Sequence, residues 1–294
     1  MERLFKPIYE EQASHADTLG IILIEKTKPH SPITDNFDVI MLVIVQESNE
    51  DWHEKHYEFN GKTAAMLTLT ERSFHKWIDT NGNRKAVEWI LAGNVVYDRN
   101  QCISSLRERL RKFPHEKRDL RKAMEFGKLL KSYSEVKDLY ASEQYKDAFS
   151  RMVHTLHYLA RLAVVGEGYH PEVTLWDQVK EIDLEIYKLY DELIESDEPI
   201  AKRIQLMILA ADFAISRRAK VSAKHLLDII EEDDAAWAYE ELKNHPKITS
   251  YASDLTAILH YLTEKGILTT EKGETKVAGV YRRKYRMPGV MKQE

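Results

Sequence analysis

The sequence predicts an α+β chain in three successive parts: a small mixed sheet with flanking helices, an all-α helical bundle, and a winged helix-turn-helix. Three observations carry this. Up to about residue 115, apolar runs of strand length alternate with turn residues. From about 116 to 220, apolar residues recur at helical spacing with few interruptions. From about 221, three short helical stretches precede a hairpin pattern. At 294 residues and 43% hydrophobic content, the chain can bury a core in each of two or three domains. The expected divisions are 1–115, 116–220 and 221–290.

In the first part, residues 20–25 (GIILIE) and 37–45 (FDVIMLVIV) are rich in Ile and Val and have the length of buried strands. Residues 26–36, with Pro29 and Pro32, read as the loop between them. A third strand is expected over 63–71, with Asn60-Gly61 before it as a hairpin turn signal. Helices follow over 72–79, ended by Asn81-Gly82-Asn83, and over 85–91, stopped by Gly93; residues 95–97 make a last short strand.

In the second part, Phe149, Met152, Val153, Leu156, Leu159, Ala160 and Ala163 recur at steps of three and four. Gly166 and Gly168 stop that helix, and Pro171 opens the next at its first turn. That helix carries Leu175, Val179, Ile182, Ile186, Leu189 and Leu193 on one stripe. Glu198-Pro199 starts another, with Ile204, Met207, Ile208, Ala211 and Phe213 inward. Short loops make neighbours antiparallel, as in a bundle.

In the third part, helices are expected over 224–232 and 234–243, with Asp233 as N-cap between them. Asn244-His245-Pro246 breaks the chain. A third helix covers 250–265, with Leu255, Ile258, Leu259 and Leu262 inward, and ends at Gly266. Strand 267–270, turn 271–274 and strand 275–285 complete the wing.

Composition removes several classes of function. No run approaches the ~18–20 apolar residues of a membrane helix; the longest, 39–45, is strand-length. The segment MERLFKPIYEEQ has no apolar signal core, so a cytoplasmic protein without a membrane partner is expected. The lone Cys102 excludes an intrachain disulfide framework and a multi-cysteine zinc site, and has no triad-like company. A net charge of −5 argues against a nucleic-acid coat but permits a local basic patch.

The most informative junction is TDNFDVIMLV, residues 34–43. Asp38 sits just inside a greasy strand, where a carboxylate is costly to bury unless paired or metal-bound. Period-two geometry places Asn36 and Asp38 on one face, where two oxygen ligands suit Mg²⁺ against triphosphate oxygens. The plainer alternative is a strand-start residue capping a turn.

This junction, in a sheet module followed by a helical bundle, resembles the nucleotidyltransferase superfamily of the minimal and kanamycin-modifying type. Those proteins carry a glycine-serine turn, an Asp-x-Asp on the next strand and a third carboxylate on a later strand. The whole chain resembles the bacterial nucleotidyltransferase-like subfamily, with residues 89–98 (WILAGNVVYD), 110–114 (LRKFP) and 251–266 among the matching stretches. The resemblance implies Asp38 as catalytic residue, with Asn36, Asp38 and Asp35 as metal ligands. It also shows departures. Glu25-Lys26 stands at the glycine-serine position, where a Glu would repel phosphate. Asn36-Phe37-Asp38, or Asp35 with Asp38, replaces the acidic pair, and residues 63–70 offer no carboxylate before Glu71.

Arg107, Arg109, Arg111, Lys112, Lys117, Arg118, Arg121 and Lys122 form a basic run interleaved with Glu108, Glu116 and Asp119. It reads as a solvated helix face, or as the phosphate rim of a cleft between the first two domains through Arg107, Arg111, Lys112 and Arg118. His154 and His157, three apart, lack a metal-type companion and read as core-edge or cleft residues rather than ligands. In the hairpin, Arg282, Arg283, Lys284 and Arg286 with Tyr281 and Tyr285 suit phosphate contacts. The helix before it is poor in base-reading side chains, so DNA and protein remain equal candidates for the winged helix. Two functions follow. One is a nucleotide- or partner-binding regulatory protein with a degenerate metal site and little or no transfer activity. The alternative is an active Mg²⁺-dependent enzyme moving a nucleoside monophosphate to a hydroxyl.

Overall fold

The computed structural model describes residues 2–48, 50, 52–77, 84–113, 115–233, 235–277 and 279–288. It divides into two compact units: 1–114 with 170–174, and 115–169 with 175–294.

The first unit is built on a mixed sheet. Helix α1 (Glu2–Ser14) leads into β1 (Thr18–Glu25), β2 (Val39–Val45), β3 (Trp52–Phe59) and β4 (Lys62–Thr70). Helices α2 (Glu71–Lys76) and α3 (Arg84–Ala92), strand β5 (Asn94–Asp98) and helix α4 (Cys102–Lys112) follow. Among the described residues the strand order is β3-β4-β2-β1-β5, with β2 and β4 parallel and the other pairs antiparallel. Every residue of β2 is buried, because both faces of the sheet are covered. On one face Ile21, Met41, Val43 and Met66 pack with Phe5 of α1. On the other Ile40, Leu42, Ile44 and Leu69 pack with Phe74, Trp89, Ile90, Ile103 and Leu106.

Two elements here escape the sequence reading entirely, and α4 enters it only as part of the helix face carrying the basic run, without bounds. Helix α1 is absent from it, although Phe5, Ile8, Tyr9 and Ala13 fall at helical spacing and meet the sheet. Strand β3 is absent because WHEKHYEF is charged and mostly exposed; an edge strand has one flank and much of its faces in water. The Asn60-Gly61 turn closes the β3–β4 hairpin. Residues 78–83, including the expected turn at 81–83, lie outside the described residues.

The second unit contains α5 (His115–Ala141), α6 (Tyr145–Gly166), α7 (Leu175–Ile182), α8 (Leu184–Glu195) and α9 (Ile200–Ser222). Helix α10 (Lys224–Glu231), strand β6 (Trp237–Ala238), α11 (Tyr239–Lys243), α12 (Leu255–Glu264), β7 (Thr269–Glu274) and β8 (Tyr281–Arg286) complete it. One hydrophobic cluster runs from Phe126, Leu129 and Leu156 through Ile215 to Leu227, Ile258, Leu259 and Leu262. Bundle and winged helix therefore share a core. Helices α6 and α12 end alike. Tyr169 N–H donates to Val164 O and Gly168 N–H to Val165 O, as Ile267 N–H does to Leu262 O and Gly266 N–H to Thr263 O. Gly168 at φ 90° and Gly266 at φ 68° supply the left-handed residue this closure needs.

Several boundaries are corrected. The expected single helix through Leu175–Leu193 breaks at Asp183, whose Oδ1 accepts from Ile186 N–H and caps α8. Pro171 does not open α7, which begins at Leu175; residues 170–174 belong to the first unit. Phe213 is 59% exposed rather than inward. Residue 234 lies outside the described residues, and a short strand, β6, precedes α11. The stretch from 250 starts as a 3₁₀ turn, and α12 begins only at Leu255. The wing's turn falls after Glu274, since 271–274 are inside β7.

Candidate functional site

The expected metal junction is a backbone lock. Strand β2 begins at Val39, and Asp35 (φ 47°) and Asn36 (φ 73°) lie before it in left-handed turn conformation. The strand face expected to carry Asn36 and Asp38 together is therefore not formed: Asn36 precedes the extended region. Asp38 ties three segments. Its N–H donates to Thr63 O at 2.9 Å, and its carbonyl accepts from Lys26 N–H at 2.8 Å. Its Oδ2 accepts from Thr63 N–H at 2.9 Å, while Oδ1 is 3.5 Å from Lys62 Nζ. The Thr63 amide, then Lys62 and Lys26 against a desolvation penalty, hold this carboxyl below its ordinary range, so it stays ionised. Asp35 is ion-paired with Lys85. A divalent cation would have to displace these partners, and among the described residues no three His, Cys, Asp or Glu side chains gather as a metal cluster.

The concave site in the first unit lies beside this lock. A cavity of about 420 Å³ opens over the β-sheet, within the size range of small-molecule pockets. Ile40, Ala65 and Leu67 line its sheet side, and Trp52, Trp77 and Trp89 are its aromatic walls. Trp52 and Trp77 meet edge to face, with centroids 6.1 Å apart. The Trp89 indole N–H donates to Ile33 O at 3.0 Å, which fixes the ring. Arg84, Lys85, Asp35 and Glu54 add charge. Arg84 donates to Glu172 O at 3.0 Å, and Glu88 Oε1 accepts from Val173 N–H at 2.5 Å, so residues 172–173 are held to α3. Of the expected ligands only Asp35 borders the cavity. Three of the chain's five tryptophans meet here. Sequence reasoning missed them because they are far apart in the chain and one lies on the unrecognised β3.

The basic run disperses. Arg107 donates from Nε to Ile90 O at 2.6 Å and from Nη2 to Gly93 O at 2.5 Å, satisfying carbonyls at the end of α3. Arg109 lies against the His75 ring, with Nη1 3.0 Å from Nε2. Arg111 is exposed, and the side chain of Lys112 lies outside the described residues. Arg118 belongs to α5 in the second unit and packs where a Cβ on Gly168 would stand. His154 is exposed, while His157 meets Trp176 edge to face at 6.2 Å. Burial first, then Glu71 and Asp98, push the Cys102 thiol up to about 11, which leaves it protonated and unreactive.

In the wing, β7–β8 pairing sets Arg282, Lys284 and Arg286 on one face and Tyr281, Arg283 and Tyr285 on the other. Arg286 is paired with Glu271 at 2.5 Å, Arg283 stands over Tyr285 and Lys272 over Tyr281. Helix α12 exposes Thr256, His260 and Glu264, none of them a strong base reader. Its other side meets the bundle: Tyr261 packs edge to face on Phe126 and bonds Ser216, and Lys265 pairs with Asp212.

Among the described residues no helix is long and apolar enough to cross a membrane. A family model described as Nucleotidyltransferase-like matches residues 1–118, one described as YgxA-like substrate binding domain matches 119–218, and one described as Helix-turn-helix domain matches 224–287. The uncharacterized protein YgxA of Bacillus subtilis (strain 168) is 42% identical over 285 residues, 97% of each chain. The crystal structure of a nucleotidyltransferase-like protein from Exiguobacterium sibiricum 255-15 shares 33% identity and a TM-score of 0.79, covering 98% of this chain and 99% of that one. The resemblance carried by residues 89–98, 110–114 and 251–266 is thereby borne out, and the chain belongs to the bacterial nucleotidyltransferase-like family that includes YgxA.

Proposed function

We propose that this chain is a nucleotide- or partner-binding regulatory protein with little or no transfer activity, its metal site degenerate and its output carried by the winged helix. The observation that carries the reading is Asp38: its carboxylate is engaged by the Thr63 amide and Lys62, which makes it a lock between β2 and β4. The tryptophan-lined cavity supports a base-stacking role, with Arg84 and Lys85 suited to phosphates. Mg²⁺ enters this reading only as the counter-ion of a bound triphosphate. Arg282, Arg283, Lys284 and Arg286 are the contacts for DNA phosphates or a protein partner. Fold alone does not assign an activity.

The alternative, Mg²⁺-dependent nucleoside monophosphate transfer, is favoured by one observation: Asp38 stays ionised. Losing one preorganised charge-stabilising group typically costs ~10²–10³ in rate, and the glycine-serine turn and third carboxylate are both missing from their expected positions. Labelled triphosphates with Mg²⁺ or Mn²⁺ and bacterial lysate as acceptor pool decide between the two. No covalently labelled product is expected. A labelled product that disappears in Asp38→Ala would restore the enzyme reading. In parallel, at least one of the four nucleoside triphosphates should raise the thermal midpoint by mass action, and Trp52→Ala should remove that rise.

A further inference from the structure

The second unit has a cavity of its own, about 240 Å³, where α5, α6, the α7–α8 junction and α9 meet. That is below the ~300–1,000 Å³ of drug-sized ligand pockets, so it suits a smaller molecule. Apolar side chains such as Leu162 and Ile182 line part of it; Lys122, Arg217 and Arg218 bring positive charge, and Glu167 and Asp183 negative. Lys122 is the unusual member, only 7% exposed. Lysine is rarely so deep without a partner, and Asp119 supplies one at 2.5 Å. That pairing uses one of three ammonium donors. Arg218 donates to Ala214 O at 3.1 Å and Asp183 at 2.7 Å, and Arg217 to Glu185 at 3.3 Å. Each of these three lining cations has N–H donors beyond those used in these bonds.

Two departures from regularity coincide here. The apolar stripe from Leu175 to Leu193 runs unbroken in sequence, yet the helix stops at Asp183, which caps α8 and grips Arg218. Departures from local sequence rules are expected at functional or strained sites. Gly166, the last residue of α6, also borders the cavity, and a Cβ there would meet nothing within 4 Å. We propose that this cavity binds a small molecule with a carboxylate or phosphate head and a hydroxyl or ammonium group. Lys122, Arg217 and Arg218 take the head through charge-assisted hydrogen bonds, and Glu167 takes the second group. This site stands on the second unit alone and does not depend on nucleotide binding by the first.

Titration calorimetry of the full-length chain tests it, with glycerol 3-phosphate and phosphoethanolamine as phosphate probes and glycerate and β-alanine as carboxylate probes. Glycerol and ethanolamine, which have no anionic head, are the controls. At least one anionic probe should bind saturably while the controls do not, and the arm that binds identifies the head. Gly166→Leu should abolish binding by filling open space. Arg217→Ala, at an exposed position, should weaken it about tenfold. If Gly166→Leu fails to fold, Arg217→Ala decides. The proposal is overturned if none of the four anionic probes binds, or if binding is unweakened in the folded variants. Neither variant touches the tryptophan-lined cavity, so nucleotide binding is unaffected in either outcome.

Discussion

Asp38 shows how one carboxylate changes role with its partners. In a metal site it would face open space beside a second carboxylate; here its Oδ2 accepts the Thr63 amide. The difference has a pH signature. The folded-state pKa is lowered, chiefly by that amide, so the stabilisation is complete above the ordinary carboxylate value and is lost as the pH falls through the lower folded value. Stability of the wild type should therefore exceed that of Asp38→Asn at neutral pH, and the gap should close as the pH drops below 3.8. Urea midpoints of both proteins across that range check this; a gap independent of pH would mean that the charge at Asp38 contributes nothing.

Helix α5 and helix α12 meet at a glycine. A Cβ on Gly127 would stand 2.8 Å from Asp254 Cβ and 3.2 Å from Ile258 Cδ1. Alanine is favoured over glycine by ~1 kcal/mol inside a helix, but forced overpacking costs ~1–3 kcal/mol. Gly127→Ala should thus be neutral to destabilising by up to about 2 kcal/mol instead of stabilising, read as a lowered urea midpoint. The wing yields a second test. With α12 exposing no Arg or Lys, duplex binding should be blind to sequence and steep in salt, and Arg282→Ala with Lys284→Ala should each reduce the slope of log K against log salt by ~0.9. Fluorescence anisotropy on a random duplex measures it; a sequence-selective Kd would overturn it. The legibility of these elements followed burial. Strands β1 and β2 announced themselves through continuous Ile and Val, and α6 through steps of three and four ending at Gly166 and Gly168. Strand β3 did not, because its exposed faces carry Glu, Lys and His. The α7–α8 break did not, because Asp183 satisfies the helical pattern, and the carboxylate that caps α8 through Oδ1 is held at Oδ2 by Arg218, 35 residues away. The tryptophan cavity was invisible for the same reason: Trp52, Trp77 and Trp89 are brought together only by the folded sheet.

Over the whole chain, sequence divisions and cohesion differ. Residues 119–218 and 224–287 match separate family models, yet their apolar side chains form one cluster: Phe126, Leu129 and Tyr133 of α5 with Ile258, Leu259 and Tyr261 of α12. A tethered module would have its own core and a polar face toward its neighbour. Here the face of α5 that α12 covers is apolar, and Tyr261 and Lys265 are tied to Ser216 and Asp212 of α9. Apolar burial is worth ~25 cal/mol per Å², so removing the winged helix exposes surface that the bundle cannot rebury. A chain ending at Ser222 should consequently bind a hydrophobic dye and lose the sharp unfolding transition of the intact protein. In the intact protein, amides of α6 and α12 should exchange through one cooperative opening, with the same dependence on denaturant. Hydrogen exchange followed by mass spectrometry distinguishes the cases: exchange of α12 at low denaturant while α6 stays protected would mean a separable module, and a signal received by the winged helix could then not be carried to the bundle through packing.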